Sequence, residues 1–139
     1  MDWNLSPQRH RPKPRAQKMI DIYDRKGFDK LVSIEANSLK GADLASLKLD
    51  SANLVQYDLS GADLSQASLV GADLRLANFT GANLSGADLT DADFNGAELK
   101  GAQFDGATLT NTKFSMEQQR ELKASGVRLK QLSLEIKPG

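Results

Sequence analysis

The chain has no cysteine, and only one histidine and one tryptophan among its 139 residues. The missing cysteines exclude disulfides and thiolate metal sites, and they suit a cytoplasmic protein. His10 stands alone, so no His-x-x-x-His pair exists to hold a metal, and there is no EF-hand loop. No glycine-rich segment has the spacing of a phosphate-binding or dinucleotide-binding loop, which leaves no cofactor to expect. No apolar run approaches the roughly 18 residues of a membrane span. The opening residues Met1 to Pro7 lack the basic-then-apolar order of a secretion signal. A net charge is absent as well: 18 basic residues balance 18 acidic ones. That balance hides a division. Residues 1–40 carry nine basic against five acidic residues, residues 41–114 four against ten, and residues 115–139 five against three. An acidic middle lies between two basic flanks.

What the chain does have is a period of five. From Leu39 to Phe114 every fifth position is Leu or Phe, 16 positions in all. Two residues before these, from Ala42 to Thr112, 12 of 15 positions are Ala, the exceptions being Leu47, Tyr57 and Thr112. A helix turns about 100° per residue, so a step of five drifts by about 140° and leaves no apolar stripe. A flat strand alternates faces, so a step of five would flip each leucine outward. Each pentapeptide must instead be a short extended piece followed by a bend. Gly fills 8 of the 15 bend positions from 41 to 111, as a tight turn favours.

Units such as Gly61-Ala62-Asp63-Leu64-Ser65 and Gly81-Ala82-Asn83-Leu84-Ser85 follow the pattern A(D/N)LXX. Over roughly residues 37–114 the chain resembles the pentapeptide repeat family. The resemblance implies an all-β solenoid, a right-handed quadrilateral β-helix (the Rfr fold) with four pentapeptides per coil and about four coils. The family's abundance in cyanobacteria implies a bacterial source. With coils about 4.8 Å apart, the column would be about 20 Å tall. Residues twenty apart then stack in four inner ladders. These are Leu39–Leu59–Phe79–Leu99, Leu44–Leu64–Leu84–Phe104, Leu49–Leu69–Leu89–Leu109 and Leu54–Leu74–Phe94–Phe114.

A solenoid needs caps at both ends, and short α-helical caps are expected here. The chain divides into a basic, Pro-rich disordered tail (1–15), an N-terminal helical cap and lead-in (16–36), the repeat block (37–114) and a C-terminal segment (115–139). In the second part, Ala16, Met19, Ile20 and Tyr23 fall on one helical stripe, and Gly27 stops it. Leu47 and Tyr57 are expected to pack beneath that helix in a wider first coil. In the last part, Ser115 and Gln118 make a capping-box pattern for a helix that ends at Gly126. Beyond it, Val127, Leu129, Leu132, Leu134 and Ile136 form an apolar tail, read either as a cover for the last coil or as a homodimer surface.

Chemistry finds little support. Asp73 and Asp93 share a ladder about 4.8 Å apart, close to the carboxylate spacing of a retaining glycosidase. The D/N slot is routine in the repeat, however, and a column filled with Leu and Ala has no pocket. The expectation is no enzyme, no catalytic residue, no metal and no cofactor. An acidic wall repels phosphates, so nucleic acid is not an expected partner. The first reading of function is a non-enzymatic protein–protein interaction or regulatory module on a rigid β-helix, partner unknown. Val55, Val70 and Leu76 place apolar groups among outward positions, and Asp73 and Asp93 make one face acidic. Trp3, Arg9 and Arg11 mark the tail as a second candidate contact. The alternative comes from the resemblance, since some family members mimic DNA and inhibit a type II topoisomerase. The acidic coil fits that reading in sign, but four coils match only about six base pairs in length.

Overall fold

The structure, a computed structural model, describes residues 18–129. The period of five becomes a coil of twenty residues. Eleven parallel bridges join residues twenty apart, from Asp43↔Asp63 to Asp93↔Lys113. Backbone rungs run both ways along the column: the Leu44 N–H donates to the Asp63 carbonyl at 2.8 Å, and the Asp63 N–H to the Ala42 carbonyl at 2.9 Å. This is the right-handed quadrilateral β-helix, with four pentapeptides per coil. All sixteen ladder residues from Leu39 to Phe114 are buried. Near the C-terminal end the core turns aromatic. Phe94 stacks on Phe114 with ring centroids 5.2 Å apart and meets Phe79 edge-on at 5.3 Å, geometries that add to simple burial.

The corners explain the outer residues. All fifteen bend positions from 41 to 111 have positive φ, eight of them Gly and the others Ser46, Ser51, Gln56, Gln66, Leu76, Asp91 and Asn111. The D/N slot is equally structural. Nine of these side chains, from Asp43 to Asp93, accept a hydrogen bond from the backbone N–H two residues on. Each closes an Asx turn that leads the chain into its next bend.

The N-terminal cap is not a helix. Residues 19–35 form an antiparallel hairpin of β1 (Met19–Tyr23) and β2 (Lys30–Glu35), with Met19 opposite Glu35 and Ile22 opposite Val32. The expected stripe fails on burial: Met19 and Tyr23 are exposed, whereas Ile22, which lies off the stripe, is fully buried. Ile20, Ile22, Val32 and Ile34 are β-branched and favour strands. The hairpin also pairs with the coil, which a helix cannot do. Asp24 bridges Ala52, and the Asn53 N–H donates to the Tyr23 carbonyl at 2.8 Å. Asp24 Oδ1 accepts from the N–H groups of Phe28 and Asp29 and fixes the turn around Gly27. Leu47 and Tyr57 therefore have no helix above them; they are half-buried against the core of the first coil. The expected tail 1–15, including Trp3, Arg9 and Arg11, lies outside the described residues, as does the apolar segment beyond Leu129.

The C-terminal helix α1 spans Met116–Ala124. Ser115 is its N-cap, and the capping box with Gln118 is complete: the Gln118 N–H donates to Ser115 Oγ at 3.0 Å, and the Ser115 N–H to Gln118 Oε1 at 2.7 Å. Gln118 also plugs the column. Its Nε2 donates to the carbonyls of Phe94 at 2.8 Å and Ala97 at 2.9 Å. One coil earlier the Ala77 carbonyl accepts from the backbone N–H of Glu98, twenty-one residues on. Gln118 is twenty-one residues beyond Ala97, so its side chain supplies the donor that another coil would have brought. Thr112, the last exception in the Ala row, donates from Oγ1 to the buried Leu89 carbonyl at 2.8 Å.

Candidate docking face

The register sorts the candidate residues onto sides of the column. Asn53, Asp73, Asp93 and Lys113 bridge in series on the side built over Leu54, Leu74, Phe94 and Phe114. Val55 and Leu76 belong to that side, whereas Val70 belongs to the preceding one. Val55 and Val70 are half-buried, so neither projects freely. Both are tied down through their backbone: the Val55 N–H donates to Asn53 Oδ1 and the Val70 N–H to Asp50 Oδ1. Leu76 is different. It is 56% exposed, and its φ of 62° lies in the left-handed region. Its Cδ2 lies over Gly96 of the next coil, only 2.7 Å from where a β-carbon on that glycine would stand.

Asp73 and Asp93 share a rung, as the spacing predicts. Asp73 is nevertheless not an open surface charge: it is 8% exposed. Arg75 clasps it in two parallel bonds, Nε to Oδ1 and Nη2 to Oδ2, each 2.7 Å. These hydrogen bonds hold the Asp73 carboxyl below its usual pKa, and Arg75 in return is held above its own. The exposed acid pair expected from the sequence is thus a carboxylate–guanidinium pair with Asp93 half-buried beside it. Asp58 and Asp63 also titrate low, because the hydroxyl and N–H of Ser60 and Ser65 bond their carboxylates.

The hairpin turn forms the rim of this side. The Arg25 N–H donates to the Ser51 carbonyl at 2.8 Å, and its Nη1 to the Gly71 carbonyl at 3.1 Å. Asp24, Arg25, Lys26, Ser51, Asp73 and Arg75 line an open cleft of about 520 Å³. Phe28, at the tip of the turn, is 82% exposed. Sequence reasoning missed Arg25, Lys26 and Arg75. Only Arg75 had a signal, since it occupies the slot two residues after the Asp, where Ser or Thr elsewhere bonds the same carboxylate. Among the described residues, no group of three or more His, Asp or Glu side chains is placed to hold a metal ion. No helix among them is long and apolar enough to cross a membrane.

The model of the pentapeptide repeats matches residues 38–75, 58–96 and 77–115, together more than half of the chain. The chain belongs to the pentapeptide repeat family. Solved pentapeptide repeat proteins are similar to it in sequence and structure. One from the cyanobacterium Cyanothece 51142 is 34% identical over 55% of this chain and 52% of that one, with a TM-score of 0.31. This chain thus spans about half the length of that relative. Another, from Nostoc Pcc 7120, is 34% identical over 62% of this chain and 83% of that one, with a TM-score of 0.35. A third, from the thylakoid lumen of Arabidopsis thaliana, is 24% identical over 68% of this chain and 85% of that one, with a TM-score of 0.32. No curated protein matches this pentapeptide repeat protein.

Proposed function

We propose that this pentapeptide repeat protein is a non-enzymatic docking module whose contact face is the side carrying Asp73, Arg75 and Leu76. The single observation behind this reading is Leu76. A left-handed backbone costs an L-residue about 1–2 kcal/mol, and the other non-glycine bends of the coil are all Ser, Gln, Asp or Asn. An exposed leucine at such a corner is explained by what it offers outward rather than by what it does for the fold. Around it, the Asp73–Arg75 pair and the Arg25–Lys26 turn supply fixed polar groups at the edge of an apolar anchor, the arrangement of an interface centre and its rim. The topoisomerase-directed alternative draws less support. Four coils match only about six base pairs in length, and Asp73 is neutralised by Arg75.

The test is an affinity pulldown from the source cell with the full chain, Leu76→Gly and Leu76→Glu, paired with thermal denaturation of each. Glycine fits the corner, so Leu76→Gly keeps the fold intact. The expected result is a saturable partner captured by the native chain and lost with both variants, with no fall in the melting temperature of Leu76→Gly. An identical set of captured proteins across all three overturns the assignment of this face.

A further inference from the structure

Three cations meet where the hairpin turn joins the column. Arg25, Lys26 and Arg75 line the open cleft of about 520 Å³, together with Asp24, Asp73 and Ser51. Both carboxylates are already engaged. Asp24 Oδ1 accepts from the Phe28 N–H at 3.0 Å and the Asp29 N–H at 3.2 Å, and both Asp73 oxygens accept from Arg75. The cations keep donors in reserve. A guanidinium has five N–H groups. Arg75 gives two of them to Asp73, and Arg25 gives one to the Gly71 carbonyl. Lys26 is exposed, and its ammonium has no partner among the described residues. The same bonds hold both guanidinium groups in place before any partner arrives, which lowers the cost of binding.

The sign of this cleft is the reverse of its surroundings. The repeat block carries four basic against ten acidic residues, whereas the cleft carries three cations against two carboxylates. An acidic partner is repelled along the wall and drawn to the cleft, so its orientation is set by charge. The surplus of one positive charge suits a carboxylate, a monoanion. A phosphate monoester, with a charge of about −1.5 to −2, would be left partly unbalanced. A planar carboxylate also matches the planar guanidinium fork.

We propose that the cleft of Arg25, Lys26 and Arg75 receives an Asp or Glu side chain of the partner protein, next to the apolar contact made by Leu76. This inference rests on the docking face proposed above. Arg75 adjoins Leu76 in the chain, so a partner seated on Leu76 brings its neighbouring residues to the cleft. Leu76 supplies adhesion, and the cleft selects a segment in which an acidic residue lies beside an apolar one.

The test is a titration of the full chain at low ionic strength with two blocked tetrapeptides, Gly-Glu-Glu-Gly and Gly-Gln-Gln-Gly, followed by nuclear magnetic resonance. The acidic peptide is expected to shift the backbone amides of Arg25, Lys26 and Ser51 and the Arg75 Nε–H, and the glutamine peptide to leave them in place. Added salt should weaken the effect. Lys26→Glu, an exposed change in the turn, is expected to weaken binding of the acidic peptide at least about fivefold. Leu76→Gly is expected to leave it within about twofold, because the peptide has no apolar side chain. Equal shifts with both peptides overturn the proposal, as do shifts confined to the basic residues before Lys18 or binding that Lys26→Glu leaves unchanged. The pulldown with the Leu76 variants and this titration report on different claims. A partner lost with Leu76→Gly but an unresponsive cleft would keep the docking face and remove the carboxylate site.

Discussion

The two ends of this column are finished in different ways. At the N-terminal end the closure is made by backbone. The hairpin runs into an antiparallel bridge from Asp24 to Ala52, and the Asn53 N–H reaches the Tyr23 carbonyl at 2.8 Å. Ile22 is driven fully into the core beneath it. At the C-terminal end the closure is made by one side-chain amide, Gln118 Nε2 on the Phe94 and Ala97 carbonyls. Backbone pairing accepts nearly any side chain, so the first end depends on the apolar residue that seats it. The second end depends on a particular donor at a particular position.

That contrast sets the order of expected damage. Ile22→Ala is expected to cost about 2–5 kcal/mol, the range for emptying a fully buried aliphatic site, read by chemical denaturation of the full chain. Gln118→Ala removes both donors to the end carbonyls and half of the capping box, and is expected to cost about 1–3 kcal/mol. Gln118→Glu sharpens the point. It keeps the acceptor for the Ser115 N–H but loses the amide donor, so it should recover little of the loss. If Gln118→Ala proves as costly as Ile22→Ala, the C-terminal end is held by more than its polar plug.

The same contrast accounts for what the sequence made legible. Ser115 and Gln118 lie three residues apart, and α1 follows from that local pair. The hairpin depends on Asp24 meeting Ala52, a contact between residues far apart in sequence. Met19, Ile20 and Tyr23 satisfy a helical stripe and a strand equally well at short range, and only the partner strand and the coil decide between them. The column was legible because the period of five admits no other regular structure. The docking face was legible only in part. Leu76 stood out as apolar in an outward slot, but Val55 and Val70 looked equivalent to it until their burial separated them. The capture of Asp73 by Arg75 depends on how two side chains lie on one face, which a list of outward carboxylates does not reveal.

The stretch between the ends provides a third term of comparison, because there the fold carries a cost that the ends do not. Leu76→Gly relieves a left-handed leucine at φ 62° and gives up little buried surface. It is expected to raise stability by about 1 kcal/mol, seen as a higher denaturation midpoint with an unchanged slope. Loss of stability would mean that the contact of Leu76 with Gly96 matters more to the fold than its corner strain does. The exposed leucine would then need no function to explain it.

The smallest effect concerns the Asp73–Arg75 pair on the same side. Asp73→Asn keeps an acceptor for the Arg75 N–H, as Asn78 does for Thr80 at 2.9 Å, but it removes the ion pair. The pKa of Asp73 is lowered from 3.8, chiefly by its hydrogen bonds from Arg75. A carboxyl whose folded pKa lies below its unfolded value contributes stability that is fully present above the unfolded value. That contribution is lost as pH falls through the folded one. The native chain should therefore exceed Asp73→Asn in stability at pH 7 by no more than about 1 kcal/mol, as expected for a pair with one partner half in water. The gap should close as pH falls from about 4 downward. Denaturation midpoints for the two proteins across that window provide the check. A gap that stays constant with pH would assign the difference to packing around Asn and leave the pair with no share in stability, so that its rigid geometry would serve the docking face alone.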